Sequence, residues 1–176
     1  GQGYYGVIPD LCVIGKALSN NVPLGVVAGK KKIMDRIMDP VDPVVSGGTF
    51  SGNQLGIAAG NASLDILMQE HFYKNFLTRT DKFYESLKTL FDERGLPAVV
   101  QHLGAGFHIF LGTTEPINNY KDLNRVDREL TRQFFTICIE NGLYFHTDFT
   151  LSAAHDESTL NEALERLDRA IIKVKN

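Results

Sequence analysis

A lysine, Lys16, stands directly after a short apolar run that is typical of a buried strand. The run is Leu11-Cys12-Val13-Ile14, and Gly15 closes it. The carboxyl edge of a sheet is where α/β proteins commonly bind ligands. A lysine amine that is held there and partly desolvated gives up its proton more readily and can form a Schiff base with an aldehyde. The alternative is an ordinary solvated loop lysine, as most lysines are.

A second segment rich in glycine and hydroxyl groups, residues 46–53, precedes a predicted helix. Glycine allows close backbone approach, N–H groups at a helix start favour anions, and the Thr49 and Ser51 hydroxyls can donate hydrogen bonds. The run Gly47-Gly48-Thr49 would open the helix, and a phosphate fits that description. The alternative is a plain loop in which Ser51 or Asn53 caps the helix. The Gly-Lys-Ser/Thr ending of a Walker loop is missing.

The two segments together indicate a cofactor that carries both an aldehyde and a phosphate. Pyridoxal 5'-phosphate has both groups, although the spacing of the segments alone does not establish it.

The composition excludes other classes of protein. A net charge of −3 gives no reason to expect nucleic acid or an anionic membrane as a partner. No apolar run is long enough to span a bilayer, and Cys12 and Cys138 are predicted to be buried in a reducing compartment, the cytoplasm.

The predicted helices and strands follow one pattern in the first part of the chain and another in the second part. The first part alternates strands and helices, which is typical of an α/β layer. Its predicted elements are strands over 11–14 and 26–28 and helices over 30–38 and 54–68. The second part reads as a small α+β unit with helices over 72–94, 124–140 and from about 156, and strands over 98–102, 107–111 and 143–145. Asp156, Ser158 and Thr159 are all candidates for the last N-cap.

The segments 9–25 (PDLCVIGKALSNNVPLG) and 47–60 (GGTFSGNQLGIAAG) resemble the class III pyridoxal-phosphate aminotransferases of fold type I. The similarity is greatest to the branch of the glutamate-1-semialdehyde aminomutases. The segment 142–155 (GLYFHTDFTLSAAH) resembles the C-terminal strand region of that branch. The resemblance therefore extends over nearly the whole chain.

The resemblance implies specific roles for the candidate residues. Lys16 would form the Schiff base with the cofactor and carry a proton between substrate and cofactor carbons. Thr49 would bind the cofactor phosphate, usually across a subunit boundary, and Gly48 would add a backbone contact. A small amino or oxo compound is the implied substrate, and a homodimer is the implied assembly.

The resemblance also implies that the chain is the C-terminal part of such an enzyme. The family's acid for the pyridine nitrogen, its ring-stacking aromatic and its upstream phosphate loop precede the position matching Gly1, and Asp10 is not that acid. We therefore expect residues 1–68 to end a large α/β domain and residues 69–176 to form a small α+β domain. The chain departs from the family at Ser19-Asn20-Asn21, where a glycine-rich stretch is usual.

Substrate evidence comes from the turn Leu103-Gly104-Ala105-Gly106, which lacks the arginine that many aminotransferases of this class carry there. This favours amino-group transfer of the aminomutase type. A transaminase with a 2-oxo acid acceptor is one alternative, and an inert fragment or dimerising domain is another, so the activity of the chain is left open. His102 and His108 have too few neighbouring ligands for a metal site. His146 and His155 are predicted to make structural hydrogen bonds.

Overall fold

The structure is a computed structural model that describes residues 1–145 and 149–175. It divides into one unit over Gly1–Phe72 and a second unit from Tyr73 onward. The helices are α1 (Gln2–Tyr5), α2 (Lys31–Met34), α3 (Gln54–Leu67), α4 (Phe72–Arg94), α5 (Arg128–Glu140) and α6 (Glu157–Val174). The strands are β1 (Leu11–Ile14), β2 (Val26–Gly29), β3 (Ala98–Leu103), β4 (Gly106–Leu111) and β5 (Phe149–Thr150). Short 3-10 turns span Lys16–Leu18, Asp35–Met38 and Tyr120–Arg125.

The first unit is built on an antiparallel pair of short strands. β1 pairs with β2 from Leu11 opposite Gly29 to Ile14 opposite Val26. Lys30 forms an ion pair with Asp10 at 2.6 Å beside this pair, but both side chains are largely exposed, so the pair adds little stability. The loop between the strands carries Lys16.

No apolar side chain of the first unit is fully buried, and the structure describes every residue of that unit. Successive strand residues point to opposite faces of a sheet. Leu11 and Val13 on one face of β1 are 47% and 79% exposed, and Ile14 on the other face is 41% exposed. Apolar residues on both faces are typical of a strand that is covered from both sides. The first unit therefore lacks a core of its own.

The second unit has a continuous core between its helices and its sheet. α4, β3, β4, α5 and α6 all contribute buried side chains to this core, among them Phe91, Ile109, Phe134 and Ile171. Arg94 of α4 binds Asp168 of α6 through two hydrogen bonds of 2.6 and 2.8 Å, and these bonds lower the pKa of the Asp168 carboxyl. Burial of the apolar core is the main contribution to the stability of the second unit.

The sheet of the second unit is antiparallel, with strand order β3-β4-β5. Tyr84 of α4 is fully buried, and its hydroxyl donates to the carbonyls of Gly104 and Ala105, each at 3.0 Å. The Ala105 carbonyl also accepts the N–H of Leu151 at 2.9 Å. This one tyrosine thus holds the β3–β4 turn against the helix and beside the segment that follows β5.

Two predicted elements differ from the structure. The helix predicted over 124–140 begins at Arg128 instead, because the Asp127 carboxylate accepts the N–H of Leu130 at 2.9 Å and caps it there. The strand predicted over 143–145 is wrong. The N–H of Leu143 bonds to the Cys138 carbonyl at 2.9 Å, with Gly142 left-handed at φ 79, and so completes the C-terminal cap of α5.

The helix predicted over 30–38 is the short helix α2 followed by the 3-10 turn Asp35–Met38. The remaining predicted elements correspond to helices or strands of the structure, and Asp156 is the cap of the last helix. The two cysteines differ in their burial. Cys138 is fully buried, and burial raises the pKa of its thiol to about 12, whereas Cys12 is only half-buried. The prediction that both are buried is right for Cys138 alone. Among the described residues, no helix combines the length and apolarity needed to cross a membrane.

We predict that Tyr84→Phe lowers the free energy of unfolding of the second unit by about 1–3 kcal/mol, because the turn carbonyls lose a buried donor. Urea denaturation followed by far-UV circular dichroism measures this difference. Tyr120→Phe is the matched control, since Tyr120 is 85% exposed and its substitution should leave the midpoint unchanged. Equal midpoints for Tyr84→Phe and the parent chain would contradict the role of the hydroxyl.

The same tyrosine predicts a pH dependence. Burial raises the pKa of Tyr84 to about 12, so the folded state holds this proton more tightly than the unfolded state does. The resulting stability is fully present below the ordinary tyrosine pKa of about 10 and is lost as the pH rises toward 12. The stability difference between the parent chain and Tyr84→Phe should therefore shrink over that interval. A difference that stays constant from pH 8 to pH 11.5 would contradict the prediction.

Candidate functional site

Lys16 lies two residues beyond the end of β1, after Gly15, and begins the 3-10 turn Lys16–Leu18. Its amine makes no hydrogen bond to any residue that the structure describes, and the residue is exposed. The partial desolvation expected from the sequence is therefore not supplied by this chain. What the chain does supply is a free primary amine at the end of a strand.

The backbone of Lys16 has an unusual conformation. Its φ of +54° lies in the left-handed region, which a residue with a β-carbon adopts at a cost of about 1–3 kcal/mol. Strained residues of this kind persist where the surrounding structure holds them, and they cluster at functional sites. The local geometry thus distinguishes Lys16 from an ordinary loop lysine.

The loop that carries Lys16 packs on α3 at two glycines. A β-carbon on Gly56 would lie 2.6 Å from the Pro23 carbonyl oxygen, and one on Gly60 would lie 2.7 Å from Leu24 Cδ2. The close atom at Gly56 belongs to the backbone and leaves no room for a side chain, whereas a side chain at Gly60 would require Leu24 to move. Gly56 and Gly60 are also the buried residues of α3. Despite its poor helix propensity, glycine lets the Pro23 backbone approach the helix at Gly56 and the Leu24 side chain approach it at Gly60.

The glycine-rich segment lies before α3 and not at its first residue. Ser51 N–H donates to Gly48 O at 2.9 Å and Asn53 N–H donates to Phe50 O at 3.1 Å, which forms a turn over these residues. The Asn53 side chain accepts the Leu55 N–H at 3.2 Å and caps the helix. The prediction that the run Gly47-Gly48-Thr49 opens the helix directly is wrong, because Asn53 provides the cap. The capping alternative is correct for Asn53.

Gly48 and Thr49 are nevertheless exposed in a turn with open space around them. Gly47 has no neighbour within 4 Å of a β-carbon position, and Gly48 has only Ser51 Oγ, at 3.6 Å. Within the described parts of the chain, no hydrogen bond occupies the Thr49 hydroxyl. The turn therefore presents hydroxyl and N–H donors to a ligand.

α3 is the element that the two candidate segments share. The Lys16 loop packs on its Gly56 and Gly60 face, and the Thr49 turn leads into its N-terminus. No hydrogen bond or ion pair joins Lys16 to Thr49 in the portion of the chain that is described. The structure thus attaches both segments to one helix without a hydrogen bond or ion pair between these two described side chains.

The donor set fits pyridoxal phosphate in its chemistry. An exposed lysine amine can bond to the aldehyde, and the exposed Thr49 turn can donate hydrogen bonds to the phosphate.

The described residues contain no group of three or more His, Cys, Asp or Glu side chains arranged for a metal ion. His155 accepts the N–H of Ser152 at 3.2 Å, which is the structural role predicted for it, whereas His146 lies outside the described residues.

Sequence reasoning overlooked the residues that shape the lysine loop. Ser19 is 2% exposed, and Asn20 has a left-handed φ of 55°. A signal was present in the sequence, since asparagine tolerates the left-handed conformation better than other non-glycine residues. The departure from a glycine-rich pattern at these positions therefore preserves a tight turn.

Comparison with known proteins gives one family over almost the whole chain. The family model described as aminotransferase class-III matches residues 1–171. An omega-transaminase from Sphaerobacter thermophilus superposes with a TM-score of 0.86 at 22% identity, covering 99% of this chain and 41% of that one. A glutamate-1-semialdehyde aminomutase from Pseudomonas aeruginosa in complex with PMP superposes with a TM-score of 0.79 at 19% identity, covering 98% and 41%.

A third solved structure, described as a transaminase with PLP bound, has a TM-score of 0.81 at 21% identity and is covered over 40% of its length. At these identities the likeness establishes the fold, and the fold class predicted from the sequence is confirmed. The chain spans about 40% of the length of these solved structures. The chain thus has the fold of a portion of a fold type I enzyme, as predicted.

We predict that Gly56→Ala loosens the Lys16 loop, because the new β-carbon collides with the Pro23 carbonyl. The cost of overpacking is about 1–3 kcal/mol, which exceeds the gain of roughly 1 kcal/mol in helix propensity. Hydrogen exchange of the amides of residues 16–25 should accelerate. Asn61→Ala, at an exposed position of the same helix, is the control and should leave that exchange unchanged. Unaltered exchange in Gly56→Ala would contradict the packing argument.

Proposed function

This chain belongs to the class-III aminotransferase family, and from that membership we propose that it carries the cofactor-binding lysine of an enzyme that moves an amino group on a small amino-carbonyl compound. Pyridoxal phosphate is the cofactor of the family, as predicted from the sequence. The observation that carries the proposal is the free amine of Lys16 at the end of β1, held in a left-handed conformation.

Each candidate residue has a distinct part in this proposal. Lys16 binds the cofactor covalently, and after release its Nζ accepts and returns the proton that moves during amino transfer. Thr49 donates its hydroxyl to the phosphate, and Gly48 allows the phosphate to approach the backbone. When bound, the cofactor supplies an electron sink for the carbon that loses its proton. Residues outside this chain complete the site, because Lys16 is exposed here.

The exposed apolar surface of the first unit supports the proposal that residues outside this chain complete the site. A strand with apolar residues on both faces needs cover on both sides, and Leu11, Val13 and Ile14 are all exposed. We propose that residues 1–68 belong to a larger cofactor-binding domain and residues 69–176 to a small domain. A homodimer and a cytoplasmic location also remain predictions.

For the reaction itself we propose transfer of the aminomutase type, in which the amino group returns to the same carbon skeleton. The support is the turn from Leu103 to Gly106, which contains no arginine, and whose carbonyls at Gly104 and Ala105 are occupied by Tyr84. The family name favours a transaminase with a separate 2-oxo acid acceptor as the alternative. Isotope labelling of the amino nitrogen separates the two, because only the alternative delivers the label to an added oxo acid.

We predict that pyridoxal phosphate labels Lys16 in preference to the other lysines when the purified chain is treated with the cofactor and then with borohydride. Digestion and peptide mass analysis locate the label. Lys16→Ala should lose the preferential label, whereas the control Lys30→Ala should keep it, since Lys30 is engaged with Asp10. Labelling spread evenly over the lysines would contradict the proposal and favour the alternative that the chain is an inert fragment or a dimerising domain.

The phosphate role of Thr49 is tested in the same experiment. Thr49→Val keeps the shape of the side chain and removes its hydroxyl, so half-maximal labelling of Lys16 should need about ten times more pyridoxal phosphate, the loss expected for one charge-assisted hydrogen bond. Pyridoxal, which lacks the phosphate, should label the parent chain and Thr49→Val equally. An equal loss with both reagents would show that the substitution disturbs the loop and would contradict the phosphate role.

A further inference from the structure

Among the described residues, left-handed backbone at positions other than glycine lies in the loop that carries the candidate lysine. In the described ranges 1–145 and 149–175, the non-glycine residues with positive φ are Lys16, at 54°, and Asn20, at 55°. Both lie between β1 and β2, on either side of Ser19. Because each such residue costs conformational free energy, their pairing in one loop needs a local cause.

Ser19 is the residue that joins the two left-handed positions. Its N–H donates to the Lys16 carbonyl at 3.3 Å, and its own carbonyl accepts the Val22 N–H at 3.1 Å. Its hydroxyl donates to the Val22 carbonyl at 2.7 Å. One residue thus closes two successive turns, the first beginning at Lys16 and the second containing Asn20.

Burial separates Ser19 from the rest of its loop. Ser19 is 2% exposed, whereas the flanking Asn20 and Asn21 are exposed. A buried hydroxyl without a partner is costly, and here the Val22 carbonyl satisfies it. The hydrogen bond is therefore partly shielded from water by the burial of Ser19.

We propose that Ser19 and Asn20 are positioning residues that hold Lys16 in its left-handed conformation and so aim its amine. Asn20 occupies the second position of the Ser19–Val22 turn, where a β-branched residue resists positive φ. If Asn20 leaves this conformation, Ser19 loses its hold on Val22, and the turn that begins at Lys16 is released with it. The inference rests on the proposed role of Lys16 as the cofactor-binding lysine.

The test compares single substitutions at adjacent exposed positions. Asn20→Val removes the tolerance for positive φ, and Asn21→Val is its matched control, because Asn21 does not have a positive φ. Asn20→Gly restores the tolerance, and Asn20→Ala is a milder change in case the valine variant fails to fold. Ser19→Ala removes the hydroxyl that binds Val22. Far-UV circular dichroism establishes that each variant is folded.

Two readouts are taken on every variant. Hydrogen exchange of the peptide over residues 15–24 in the cofactor-free protein reports the turns themselves. The share of borohydride-fixed pyridoxal phosphate on Lys16, relative to the other lysines, reports the aim of the amine. A residue with a merely structural role would change the exchange without changing the share of label.

We expect Asn20→Val to reduce the Lys16 share roughly tenfold, with faster exchange, and Asn20→Ala and Ser19→Ala to reduce it less. Asn20→Gly and Asn21→Val should stay within about twofold of the parent chain, since neither opposes the native backbone. An unchanged share in folded Asn20→Val or Asn20→Ala would overturn the inference. Equal exchange in Asn20→Val and Asn21→Val would also overturn it.

Failure of the proposed function gives a different result. A parent chain without preferential label on Lys16 contradicts the role of that lysine as cofactor ligand, whatever the variants do. The exchange comparison needs no cofactor and still decides whether Asn20 holds the turns in place. Labelling of the parent chain therefore tests the proposed role of Lys16, and the exchange comparison tests the role of Asn20 by itself.

Discussion

The close approach of Pro23 and Leu24 to α3 at Gly56 and Gly60 is the constraint on which the first unit depends. The loop from Lys16 to Leu24 has no apolar core beneath it, so its position is set by this contact and by the two turns that Ser19 closes. Hydrogen bonds and steric fit hold this loop in place, whereas the second unit is held together by burial of large side chains. The candidate lysine owes its backbone conformation to these small residues.

The second unit is organised by a different principle. Its helices and sheet enclose a continuous apolar core, and Tyr84 fastens the β3–β4 turn to α4 from within that core. Such a unit can bury enough apolar surface to offset the conformational entropy lost on folding. The chain therefore combines a self-sufficient part with a part whose conformation is set mainly at its glycines and turns.

Most helices and strands could be predicted from the sequence because hydrophobic periodicity and end signals agree there, as at Gly95 after α4. Prediction failed where a local hydrogen bond decided the outcome. The Leu143 N–H completes the cap of α5 instead of joining a strand, and the Asp127 carboxylate caps α5 so that it begins at Arg128 and not at 124. At the site, Lys16 and Thr49 could be singled out by residue type and resemblance. Ser19 could not, since burial of a serine in a polar loop leaves no periodic signal.

The exposed apolar faces of β1 have a thermodynamic consequence for Lys16. Whatever covers Leu11 and Val13 binds the ordered form of the first unit better than a disordered one, and so shifts the equilibrium toward order. Cover that extends past Ile14 at the end of β1 would also remove water from the neighbourhood of the lysine amine. Under the proposed role of Lys16, ordering of the first unit and desolvation of that amine would then follow from one association.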